Sequence, residues 1–107
     1  MSEDAISDDG MSDEELDKRY REMIDTFIDQ ANTHAENNSP ENVGMALLFA
    51  ASRFNAFVVS QHAENLPDYE KDTEKARAFF SAQYLEMLDE NLDDYKKVYQ
   101  KYYKFTN

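Results

Sequence analysis

Val43-Gly44-Met45-Ala46-Leu47-Leu48-Phe49-Ala50-Ala51-Ser52-Arg53-Phe54-Asn55-Ala56-Phe57-Val58-Val59 decides the fold, because only Ser52, Arg53 and Asn55 interrupt its apolar run. Ser39-Pro40 precedes it, a hydroxyl able to cap a helix followed by a residue whose missing N–H costs nothing in the first turn. At about 100° per residue, Val43, Ala46, Leu47, Ala50, Ala51, Phe54, Phe57 and Val58 gather on one wide face. Met45, Leu48, Phe49, Ala56 and Val59 fall on the other. A helix apolar on opposite faces must be covered on both, so this one is expected to be buried on more than one side. Its length is near that of a membrane span, but a span calls for about 20 residues nearly free of charge, and Arg53 sits in the second half. The expectation is the core helix of a soluble domain.

Outward from this helix, Asn37-Asn38-Ser39-Pro40 reads as a stop and a restart. Asn tolerates the left-handed conformation that often follows a helix end, and so short a connection sets the flanking helices antiparallel. Upstream, Ser12-Asp13-Glu14-Glu15 has the spacing of a capping box. After it Leu16, Tyr20, Met23, Ile24, Phe27, Ile28, Ala31 and Ala35 recur at three and four residues, one apolar stripe on an otherwise charged helix. Downstream, Ala63 to Pro67 reads as a turn, with a third helix beginning near Asp68. Its stripe runs through Ala76, Phe80, Tyr84, Met87, Leu88, Asn91, Leu92, Tyr95, Val98, Tyr99 and Tyr102. Unbroken, it outreaches the other two helices. Either it breaks near 89–93, where acidic side chains can cap a separate short helix, or it projects and packs on another subunit.

The fold class expected is therefore all-α: a three-helix antiparallel bundle with a long C-terminal helix, forming a single domain over residues 12–107. Two glycines and two prolines in 107 residues, with few alternating β-branched runs, argue against a turn-rich β fold. No cysteine is present, so disulfides and thiolate-bound metals are excluded. The formal charge is -12, and the seven carboxylates of residues 1–15, with no Lys or Arg among them, account for -7 of it. Residues 1–11 are too polar to bury surface and are expected to be a disordered acidic leader, unlike a signal or transit peptide. This balance repels phosphate backbones and anionic lipid, so neither nucleic acid nor a membrane is an expected partner. A cytoplasmic location is the expectation.

The segments Ala51-Ser52-Arg53-Phe54-Asn55-Ala56-Phe57 and Glu90-Asn91-Leu92-Asp93-Asp94-Tyr95, with Phe79-Phe80 between them, carry a likeness. Over roughly residues 20–103 the chain resembles a family of small bacterial proteins known only as a domain of unknown function. The resemblance implies a helical bacterial protein and brings no activity, cofactor or catalytic residue with it.

The residues able to carry chemistry are few. His34 and His62 both stand in the tetrapeptide His-Ala-Glu-Asn, at 34–37 and 62–65. The antiparallel arrangement sends them to opposite poles, so the pair is read as marking helix ends and not as a shared metal site. The Glu-x-x-His pattern of bundle di-iron sites is absent, since Ala31 and Val59 precede the two histidines by three. Glu86, Asp89, Glu90, Asp93 and Asp94 lack the glycine-centred spacing of a calcium loop. No nucleophile elbow, Walker loop or dinucleotide fingerprint occurs. No catalytic residue, cofactor or metal is therefore expected.

Arg53 and Asn55, polar within the most apolar helix, read as an ion pair with Glu86 or Glu90 that fixes register, or as a small pocket for an anion. Tyr95, Tyr99 and Tyr102, interleaved with lysines, read as contact area for another protein sooner than as a stacking platform for single strands. With Met45 and Phe49 on the second face of the central helix, these are the candidate interaction residues. The expected function is protein–protein interaction without catalysis, the protein self-associating as a homodimer. The alternatives are an acidic decoy for the basic groove of a nucleic-acid-binding protein, and an anion or metal binder around Arg53.

Overall fold

The computed structural model describes residues 10–102, the last by its backbone alone. Three helices follow one another: α1 (Asp13–Ala35), α2 (Pro40–His62) and α3 (Leu66–Tyr102). No strand occurs among the described residues, and the protein is all-α. The expected disordered leader lies outside them except for Gly10 and Met11.

Each helix begins where a side chain takes up an amide that the first turn leaves open. At α1 the capping box is complete: the Ser12 hydroxyl accepts from the Glu15 amide at 3.2 Å, and the Glu15 carboxylate accepts from the Ser12 amide at 3.3 Å. At α2 the Ser39 hydroxyl accepts from the Asn42 amide at 3.2 Å, with Pro40 as the first helical residue. The start of α3 differs from expectation. Asn65 Oδ1 accepts from the Asp68 amide at 3.0 Å, which makes Asn65 the N-cap and places Pro67 in the first turn, not in the connection.

The end of α1 also departs from expectation, because no described residue has a positive φ. Instead of a left-handed Asn, the Asn38 side-chain amide donates to the His34 carbonyl at 2.8 Å, and the Asn37 backbone amide donates to the same oxygen at 3.3 Å. The carbonyl is satisfied without leaving right-handed backbone.

Of the two alternatives for the third helix, the continuous one is found: α3 runs unbroken for 37 residues, about 56 Å. Past Pro67 it contains neither Gly nor Pro, and the Asp93–Lys97 pair at 3.2 Å spans one turn within the acidic run. Those acids support the helix and do not interrupt it.

The chain clusters into two compact units, Met1–Arg53 and Phe54–Asn107. The first holds α1 with the N-terminal part of α2, the second the rest of α2 with α3. The largest correction concerns burial: α2 was expected to be covered, yet no described residue of the chain is buried. Two helices side by side shield only the strip between them, and the outer faces stay open. By length and composition α2 is apolar enough to cross a membrane, and Arg53 remains the residue against that assignment.

Candidate interaction surface

In the first unit, Val43, Ala46, Leu47 and Ala50, all from the wide face of α2, line a groove of about 500 Å³ together with Phe27, Gln30, Ala31 and His34 of α1. Small side chains keep this strip open: Ala31, Ala46 and Ala50 leave room that leucines would fill. Phe27 borders it and is still 61% exposed. In the second unit, Val59 and His62 of α2 line a smaller groove of about 310 Å³ with Ala76, Phe79 and Phe80 of α3. Phe79 and Phe80 meet edge to face, their centroids 5.2 Å apart.

The second face of α2 is open in the first unit, where Met45 is 65% and Phe49 69% exposed. The serines of α2 do not make this helix wetter. Ser52 donates to the Phe49 carbonyl at 2.8 Å and Ser60 to the Phe57 carbonyl at 2.7 Å, so both hydroxyls are turned onto their own helix. Arg53 is exposed and takes part in no ion pair among the described residues, whereas Asn55 is half-buried. On α3, Tyr95 and Tyr99 are 68% and 63% exposed, and Tyr102 is the last residue of the helix.

The histidines stand apart from this apolar surface in role, though each borders one groove. Among the described residues no three His, Asp or Glu side chains converge as a metal would need. The two copies of His-Ala-Glu-Asn do different work: the His34 carbonyl is capped by Asn38, just past the first copy, while Asn65 of the second opens α3.

What the sequence reading missed is the groove-lining set of the first unit. Phe27, Val43 and Leu47 were legible only as core, and the signal that they border an opening lies in the alanines beside them. The surface offers aromatic and aliphatic side chains in quantity, flanked by charge.

No curated protein and no solved structure matches the chain. A family model described as protein of unknown function (DUF3144) matches residues 20–96, starting where the likeness was expected to start and stopping at Lys96, short of 103. An all-α chain with its apolar faces open and this match over most of its length belongs to the DUF3144 family.

Proposed function

We propose that the protein acts by protein–protein interaction and not by catalysis, that its first partner is a second copy of itself, and that it does so in the cytoplasm. The observation that carries this is surface: no described residue is buried, and Phe27, Phe49, Phe79 and Tyr95 are each more than half exposed. Open apolar faces of this kind are what associating proteins carry.

Energetics points the same way. Ordering the backbone costs about 1–2 kcal/mol per residue, and buried apolar surface is what offsets it. No described residue is buried, and in this reading association supplies much of that offset. Truncation after Asn91 removes Tyr95, Tyr99 and Tyr102 and tests the idea. The sedimentation mass should fall to that of one chain, and an unchanged mass together with unchanged partner capture would contradict it.

A further inference from the structure

We infer that the groove between α1 and α2 in the first unit binds a small uncharged amphiphile, an unbranched alkyl chain ending in an amide or similar neutral head. This goes beyond self-association and does not depend on it, because every lining residue belongs to the same unit.

The groove has a volume of about 500 Å³, inside the range of roughly 300–1,000 Å³ that small-molecule sites occupy. On α2 it extends from Asn42 to Ala50, about 12 Å of helix, and so averages about 7 Å across. A helix with its side chains needs about 10–12 Å. One extended alkyl chain fits where a partner helix does not.

The lining changes character along that length. Phe27, Leu47 and Ala50 line the end away from the turn, followed by Ala46 and the half-buried Ala31 and Val43. A ligand chain laid over them removes apolar surface from water, and most of the Phe27 side chain is open to be covered. At the turn the lining becomes polar, with His34, Asn38 and Asn42, and Gln30 one turn before His34 on α1. Among the described residues the side chains of Gln30, His34 and Asn42 make no hydrogen bond or ion pair. The Asn38 amide donates to the His34 carbonyl at 2.8 Å, which leaves its side-chain oxygen able to accept. An apolar slot with donors and acceptors gathered at one end is the arrangement that orients a bound molecule.

Charge decides the head. No Asp, Glu, Lys or Arg lines this groove, whereas Asp72 and Lys75 both line the smaller groove of the second unit. An ionised head would leave water for a lining without a counter-ion of fixed charge, which is costly. Against an anion, Glu36 at the end of α1 and Glu41 in the first turn of α2 add repulsion. An amide carries no charge and both accepts and donates, and so answers the side chains of Asn42 and Gln30, which do the same.

Titration of the full chain with octanamide, octanoate and octylammonium, followed by amide NMR spectra, tests this. Octanamide should bind saturably with a Kd of about 1 mM or tighter, shifting the resonances of Ala31, His34, Val43 and Ala46, and about tenfold more tightly than either charged probe. Ala46→Leu fills the slot and should weaken octanamide binding by at least about tenfold; should that variant not fold, Ala31→Leu makes the same test from α1. Asn42→Ala with Gln30→Ala should remove most of the preference for the amide head. Shifts spread over Phe49 and Tyr95 and undiminished in Ala46→Leu would overturn the inference, since they describe adsorption to the open apolar faces. Tighter binding of octanoate or octylammonium would overturn it too, as would the absence of any shift in the groove residues up to the solubility limit of octanamide.

Discussion

In the first unit Ala31, Ala46 and Ala50 are among the residues that line a groove of about 500 Å³; in the second Phe79 and Phe80 line one of about 310 Å³ with Val59 and His62. Side-chain size sets the difference, since a methyl leaves space that a ring occupies. The cover each unit provides is correspondingly uneven. In the second, Asp68, Tyr69, Asp72, Thr73, Ala76 and Phe80 are half-buried near the connection, but every residue from Asp89 to Lys101 is exposed. In the first, residues 17–30 of α1 are all exposed, while Ala31 and Ala35 near the connection are half-buried. Each unit covers side chains mainly near its turn, with Leu16 on α1 and Gln83 and Leu88 on α3 half-buried farther along.

Phe49 offers the strongest way to break the comparison. In one chain it is 69% exposed, and a side chain that stays in solvent changes stability by no more than about 0.5 kcal/mol on replacement. If a second copy covers it, Phe49→Ala should cost about 3–5 kcal/mol in urea denaturation at fixed protein concentration. A change inside the smaller range would mean that the open face of the first unit stays open.

The two Asn residues of the repeated tetrapeptide sharpen the comparison at a smaller scale. Asn65→Ala removes the side chain that caps α3 and should lower stability by about 1 kcal/mol. Asn37→Ala should change it by less than about 0.5 kcal/mol, because what Asn37 contributes at the end of α1 comes from its backbone amide. Equal losses in thermal unfolding would show that the two copies are not used differently.

How much of this was legible in the sequence depends on the range of the interaction. Ser12 with Glu15, and Ser39 with Pro40, act over three or four residues, so the starts of α1 and α2 could be read directly. Asn65 acts over the same range and was misassigned, because an Asn between two helices can end one or begin the next. Here Pro67 two residues later and Asp68 three residues later favour the beginning. The continuity of α3 was left open by its acids, whose spacing serves a cap or a one-turn ion pair equally well; the helix runs through them unbroken, with Asp93 and Lys97 paired one turn apart. The place of Arg53 was not legible at all, because a partner across helices is set by packing and not by neighbours in sequence. Burial was misread for a related reason: periodicity identifies which face must be covered and is silent on whether the cover comes from the same chain.

Sedimentation equilibrium of the intact protein over a wide concentration range tests the central claim most directly. The account predicts a mass about twice the 12.5 kDa of one chain, with dissociation on dilution accompanied by loss of helix, because folding and association are linked. A single species of 12.5 kDa at every concentration, helical and unfolding cooperatively, would contradict it.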